Sequence, residues 1–248
     1  MTTHDLRGKR ILVTGGANGI GRAVCERALR AGATLLIADR EEIDPQSFGR
    51  ETAGRVVTQI VDLAEVGRFD ELADSIENEL GGLDAIIHVA GVMVRRSSID
   101  EVTEADFDFQ YQVNLKAAFF LVTRLRRLLT PESAIVLFSS QGWWTGGLGG
   151  SLPYSATKAG VVSLVRGLSR ELAPQKIRIN AIAPGFVDTD MMRIGLSEER
   201  RAELIAQVPL GRLASVDEVA DATLFLVGES SRYMTGTTLN VTGGQLIY

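Results

Sequence analysis

Lys9-Arg10-Ile11-Leu12-Val13-Thr14-Gly15-Gly16-Ala17-Asn18-Gly19-Ile20-Gly21 is the stretch whose reading decides the fold. Residues 9–14 form a short apolar run of the kind buried on both faces of a parallel sheet. A glycine-rich turn follows, and Arg22 to Ala31 then has helical periodicity. Glycines between a strand and a helix let backbone N–H groups approach a pyrophosphate at the positive end of the helix. Gly15, Asn18, Gly19, Ile20 and Gly21 are therefore candidate phosphate-binding residues. The spacing is TGxxxGxG, not the GxGxxG of most dinucleotide folds.

Moving outward, a second strand is expected over Ala33 to Ala38, ending in Asp39. An acid at the end of the second strand suits the hydroxyls of an adenosine ribose. A carboxylate there also repels a 2′-phosphate. At roughly 4 Å and an effective dielectric near 20, one charge pair amounts to about 4 kcal/mol before screening, so NAD is favoured over NADP. Arg40 is placed to hold the extra phosphate, but Asp39 already occupies the site and Asn18 puts no cation in the glycine turn; Arg40 reads as solvated. Glu41 to Gly54 reads as a loop or a degraded short helix. Arg55 to Val61 is a third strand, closed by Asp62-Leu63, and Ala64 to Leu80 an amphipathic helix. Leu83 to Val89 is a fourth strand that runs into Ala90-Gly91, with His88 read as a satisfied structural group.

Thr103 to Leu129 has a long helical pattern with Asn114 near its middle, and Pro131 stops it. An amide inside an apolar helix lowers helix propensity and so needs a partner. The fifth strand, Ile135 to Ser140, ends in two hydroxyls, and a glycine-rich loop from Gln141 to Pro153 carries Trp143 and Trp144. Tyr154-Ser155-Ala156-Thr157-Lys158 opens a helical stretch reaching about Ala173. Residues four apart share a helix face, which sets the Tyr154 phenol beside the Lys158 ammonium. A neighbouring cation favours the phenolate of a group whose pKa is ordinarily near 10. Taken alone, the pair is equally a surface decoration. A sixth strand, Lys176 to Ala183, leads into Pro184-Gly185-Phe186-Val187-Asp188-Thr189. Asp190 to Leu213 reads as a loop with a short helix, a candidate lid. Ser215-Val216-Asp217-Glu218 has capping-box form, and Thr237 to Val241 is a last strand.

The chain has 248 residues, 45% of them hydrophobic, a net charge of -5 and no internal repeat or linker. It reads as one α/β domain over 1–248, a Rossmann-type doubly wound parallel sheet of seven strands with helices on both faces. The acidic balance excludes a nucleic-acid surface. No apolar run is long enough to span a membrane. The N-terminal residues lack a signal-peptide core. A single cysteine, Cys25, excludes an internal disulfide and fits a reducing cytoplasm. With histidines only at 4 and 88, no metal site is expected.

The glycine turn, Asp39, Asn114, Ser140, Tyr154 and Lys158, in this order, resemble the short-chain dehydrogenase/reductase family, in its single-domain members of about this length. The resemblance covers nearly the whole chain. It implies that Asn114, Ser140, Tyr154 and Lys158 form a catalytic tetrad, and that Asp62 and Leu63 face the adenine. It also implies that Ala90 and Gly91 border the cofactor, and that Pro184, Gly185, Val187 and Thr189 hold the nicotinamide carboxamide. Three features depart from the family pattern: His88-Val89-Ala90-Gly91 stands for Asn-Asn-Ala-Gly, Thr242 stands where an Asp is common, and Tyr154 comes fourteen residues after Ser140, one more than usual. Either Ser139 or the glycine-rich loop absorbs the extra residue.

The reaction so implied is reversible hydride transfer between NAD and a secondary alcohol or ketone. Tyr154 would be the acid–base group, Ser140 would stabilise the substrate oxygen, and Lys158 would hold the nicotinamide ribose and lower the Tyr154 pKa. Asn114 would anchor a water on the proton path. The alternatives are an NADPH-dependent 3-oxoacyl carrier-protein reductase and a non-catalytic NAD-sensing protein. Candidate substrate walls are Met93, Gln141, Trp143, Trp144, Phe186, Met191 and Met192, while Arg95 and Arg96 read as solvated loop arginines. The substrate stays open among a cyclic alcohol, a hydroxy acid, a sugar derivative and a 3-oxoacyl thioester. Relatives are commonly homotetramers.

Overall fold

A computed structural model describes residues 5–49, 54–147, 149–189, 192 and 197–247. Seven parallel strands lie in the order β3-β2-β1-β4-β5-β6-β7. They are β1 (Arg10–Thr14), β2 (Thr34–Asp39), β3 (Val56–Ile60), β4 (Leu83–His88), β5 (Leu129–Phe138), β6 (Arg178–Pro184) and β7 (Thr238–Val241). The order reverses between β1 and β4, which opens a crevice at the carboxyl ends of those two strands. In-register pairs Thr14–Ala38 and Thr14–His88 bring the ends of β2, β1 and β4 to one line.

The alternating side chains of each strand supply two cores. Ile11, Val13, Leu35, Ile37, Val136 and Ile182 pack on one face with α1 (Gly19–Arg30) and the late helix that starts at Val216. Leu12, Leu36, Ile86, Ile135 and Ile179 pack on the other with α2 (Phe69–Leu80) and with residues of the helices that follow. The helices that follow are α3 (Glu104–Tyr111), a π-helical turn at Gln112–Lys116, α4 (Ala117–Leu125), the short α5 (Gly142–Thr145) and α6 (Leu152–Leu172), of which the π turn, α4 and α6 supply residues to this core. Then come α7 (Glu198–Ala206) and α8 (Val216–Val227). Apolar side chains on both faces explain why β1 and β2 read as unbroken apolar runs. No helix among the described residues is long and apolar enough to cross a membrane.

Several boundaries differ from expectation. The helix expected to reach Leu129 ends at Leu125, and a 3-10 turn at Arg126–Leu128 hands over to β5 already at Leu129. Pro131 is the cause: it lacks an N–H and biases the residue before it to extended backbone. α2 starts at Phe69 rather than Ala64, because the Asp62 carboxylate accepts the Ala64 N–H at 2.9 Å and a 3-10 turn intervenes at Val66–Arg68. The expected loop after Ser140 contains α5 and a 3-10 turn at Gly149–Ser151. Ser215 and Glu218 do form the expected capping box at 3.2 and 2.8 Å. Of the candidate lid, residues 190, 191 and 193–196 lie outside the described residues, and α7 forms half of the rest.

Candidate active site

The glycine turn passes over the carboxyl end of β1. Gly15 has φ +76°, and a Cβ there would lie 2.7 Å from the Ala90 backbone; one on Gly21 would lie 1.8 Å from the Gly15 carbonyl oxygen. Only bare backbone fits at both points. Asn18 caps α1 in extended conformation and gives its first turn no side-chain hydrogen bond, while its Nδ2 donates to Glu41 at 3.0 Å. The first-turn N–H groups thus face outward beside the helix dipole, the arrangement a pyrophosphate needs. Ile20 packs on the core below.

Asp39 is half-buried under this turn. Its carboxylate accepts the Ala17 N–H at 2.9 Å and the Glu41 N–H at 3.2 Å. Arg40 is exposed, in line with the solvated reading, while Glu41 is a second carboxylate at the same edge that no sequence pattern singles out. Asp62 is exposed and Leu63 buried at the end of β3. Gly185 sits where a Cβ would press on Gln245 Oε1 and Thr242 Cα, both 2.9 Å away. The Val187 side chain is buried in the core. Thr189 reaches back to the glycine turn: its Cγ2 would be 3.7 Å from a Cβ on Gly19. The residues present therefore fit a dinucleotide laid from Asp39, across the glycine turn, to Thr189.

Ser140, Tyr154 and Lys158 meet beside that line. The Ser140 hydroxyl is hydrogen-bonded to the Tyr154 phenol. Lys158 Nζ lies 5.6 Å from the Tyr154 ring centre, one helix turn away as the spacing required. The next hydroxyl upstream, Ser139, is buried and donates to the Lys158 carbonyl at 2.8 Å. Ser140 is thus the serine facing Tyr154, and the extra residue is taken up in the loop, where Gly146 and Gly147 both have positive φ.

The Lys158 ammonium is buried and donates to the Phe138 carbonyl at 2.8 Å. Burial raises the Tyr154 pKa, opposed by the Ser140 hydrogen bond and by the Arg95 guanidinium. Burial also pushes Lys158 down to about 8. The Asn114 side chain is held by three hydrogen bonds, which use both Nδ2 hydrogens and one of the two Oδ1 lone pairs. Its Oδ1 accepts the Val92 N–H at 2.8 Å, and its Nδ2 donates to the Val92 carbonyl at 2.8 Å and to Thr157 Oγ1 at 3.1 Å. What the π turn at Gln112–Lys116 adds is backbone, since an i→i+5 turn displaces carbonyls from the α-helical ladder.

His88 is buried but not fully satisfied as expected: Nδ1 lies 2.7 Å from Thr14 Oγ1, Nε2 has no partner among the described residues, and the pKa is pushed down to about 3, chiefly by burial and then by the Lys158 charge. Trp143 is half-buried with Arg166 over its ring at 5.9 Å, and Trp144 is exposed. Gln141 donates its N–H to the Pro184 carbonyl at 2.9 Å, which ties the serine loop to the Pro184–Thr189 segment. Met93, Phe186 and Met192 are half-buried, whereas Met191 lies outside the described residues. Arg96 is exposed, as expected, and pairs with Asp106 through two hydrogen bonds at 2.9 and 2.7 Å.

A family model described as enoyl-(acyl carrier protein) reductase matches residues 15–245. The chain belongs to the short-chain dehydrogenase/reductase family. Members of this family are oxidoreductases that bind a nicotinamide cofactor, which accords with the bare-backbone cradle over β1. Among short-chain dehydrogenase/reductase relatives, the 3-oxoacyl-[acyl-carrier-protein] reductase FabG of Aquifex aeolicus (strain VF5) is 35% identical over 246 residues, covering 96% of this chain and 98% of its own length. FabG of Escherichia coli (strain K12) is 32% identical, covering 97% and 98%. The crystal structure of the Brucella melitensis short-chain dehydrogenase/reductase, described as glucose/ribitol dehydrogenase, superposes with a TM-score of 0.91 at 30% identity over 99% of both chains.

Proposed function

We propose that this short-chain dehydrogenase/reductase is an NAD-dependent enzyme that interconverts a secondary alcohol and a ketone, with Tyr154 as the acid–base group. The observation that carries the reading is the meeting of Ser140, Tyr154 and Lys158 beside a cradle fitted to a dinucleotide. The nicotinamide, when bound, supplies or accepts the hydride. Tyr154 takes the hydroxyl proton in the oxidative direction and returns it in the other. Ser140 hydrogen-bonds the same substrate oxygen and stabilises its developing charge. Lys158 would hold the nicotinamide ribose hydroxyls, and its charge would assist Tyr154. The proton passes on from Lys158 through a water held by the Asn114 main chain. Phenylalanine at position 154 should lower kcat at least a hundredfold while NADH affinity stays within about threefold; substantial residual turnover sinks the assignment.

NAD rather than NADP follows from Asp39 and Glu41, two carboxylates at the ribose end, with Asn18 engaged by Glu41. Asp39→Ser should raise the NADP-to-NAD ratio of kcat/KM by tenfold or more, and an unchanged ratio removes its selector role. The names of the FabG relatives support a second reading, an NADPH-dependent 3-oxoacyl carrier-protein reductase. A cofactor titration with a 3-oxoacyl thioester separates the two. We further propose a cytoplasmic homotetramer; Phe107, Tyr111 and Phe119 are exposed along α3 and α4 in the single chain, and light scattering gives the molar mass.

A further inference from the structure

α3 reverses the usual amphipathic pattern. Phe107, Phe109 and Tyr111 are exposed, and the one buried side chain among its eight residues is the Gln110 amide, which is fully enclosed. A buried amide costs free energy unless it is hydrogen-bonded. Gln110 Oε1 accepts the Val94 N–H at 3.0 Å, and Gln110 Nε2 donates to the Asp106 carbonyl at 3.1 Å. One turn further on, Asn114 exchanges two bonds with Val92, accepting from its N–H and donating to its carbonyl, as a residue of a neighbouring strand would. One turn back, the Asp106 carboxylate holds Arg96. Helix positions 106, 110 and 114 thus meet chain positions 96, 94 and 92. Four helical residues rise about 6 Å and two extended residues about 6.6 Å, so the two spacings match. A row of polar side chains on one helix face stands in for a partner strand along residues 92–96.

The segment so held borders the reaction. It leaves Gly91, where a Cβ would lie 3.0 Å from Lys158 Nζ and 3.2 Å from Asn114 Oδ1. Met93, half-buried, is two residues on, at most about 7 Å of chain from Gly91, between the pins at Val92 and Val94. We propose that Gln110 is a positioning residue: by holding Val94 it sets this wall of the crevice, and with it the fit of the alcohol or ketone. This role rests on the alcohol–ketone chemistry proposed above. Asn114 fixes the end of the segment nearest Lys158, so loss of Gln110 loosens the chain beyond Val92 and spares Lys158 and the cofactor cradle. An apolar side chain at 110 leaves the Val94 N–H without its acceptor, and the segment then moves to find another.

The test compares the wild-type enzyme with Gln110→Leu, close in volume but without an acceptor, and with Gln110→Glu, which keeps an oxygen for the Val94 N–H. The substrate is the fastest ketone of a panel of cyclic ketones, oxo acids and 3-oxoacyl thioesters, with NADH as donor. Gln110→Leu should raise its KM about tenfold or more, with kcat and NADH affinity within about threefold, and Gln110→Glu should recover most of the loss. Hydrogen exchange followed by mass spectrometry reads the segment with no substrate present. Residues 92–96 should exchange about tenfold faster or more in Gln110→Leu, with β4 unchanged. Unaltered exchange at 92–96, or faster exchange with KM unmoved, overturns the proposal. So does a joint loss of kcat, NADH affinity and melting temperature that Gln110→Glu fails to recover, the mark of a residue that only holds the fold. If the wild type turns over nothing in the panel, the alcohol–ketone reading fails first, and exchange at 92–96 alone decides Gln110.

Discussion

At the end of β5, Ser139 donates to the Lys158 carbonyl while the next hydroxyl, Ser140, meets Tyr154. Two adjacent serines therefore carry different loads. Ser139→Ala should cost about 1 kcal/mol of stability and leave kcat within a fewfold. Ser140→Ala should leave the unfolding midpoint nearly unchanged and lower kcat about a hundredfold or more. Chemical denaturation and steady-state kinetics on the two variants check both halves. His88 supplies a pH prediction. Its pKa is pushed from 6.5 down to about 3, so between those values the unfolded chain binds a proton that the folded one refuses. The stability it contributes is full above pH 6.5 and is lost as pH falls toward 3. From pH 7 to 5 that amounts to about 2 kcal/mol, which His88→Asn should remove from the urea-unfolding difference between those two pH values.

α1 and the turn before it are built around absent side chains. A methyl on Gly21 would collide with the Gly15 carbonyl, whereas one on Gly67, in the 3-10 turn before α2, would meet nothing within 4 Å. Gly21→Ala should displace the turn, lower the melting temperature by several degrees and weaken NADH binding at least tenfold. Gly67→Ala should be within about 0.5 kcal/mol of wild type. A Gly21→Ala protein with unaltered NADH affinity would show that the turn is not the cofactor cradle. The π turn is a second element whose form serves the site: it sets Asn114 to hold Val92 and Thr157, and through them the approach to Lys158.

On the scale of the molecule, the proposed cofactor line joins both halves of the sheet, from Asp39 on β2 to Thr189 beyond β6. Binding that spans both halves stabilises the folded chain as a unit. NADH at a hundred times its Kd should contribute about 2.7 kcal/mol, which for a domain of this size is roughly 5–10 °C in Tm. NADPH at the same concentration should give a clearly smaller rise if Asp39 selects against the 2′-phosphate. Thermal scans with each cofactor measure this directly. The clasp of Arg27 on Asp217 and Asp221, at 3.0 and 2.6 Å across α1 and α8, adds little to that sum because its partners are largely solvated.

The amino-acid sequence by itself determined the order of elements, the glycine turn, Asp39 and the Tyr154–Lys158 spacing. Each is set by local geometry: strand and helix periods, positive φ, and four residues per shared helix face. Strand and helix ends were less legible where a proline or an Asx turn competes with periodicity, as at Pro131 and Asp62. Only the tertiary structure decided which serine meets Tyr154, because that depends on how the Gly146–Gly147 loop folds back. It alone turned Lys158 to Phe138 and set Asn114 on Val92 and Thr157, since burial and partner geometry are properties of packed neighbours distant in the chain. It alone showed that Arg96 is engaged by Asp106, ten residues further along the chain.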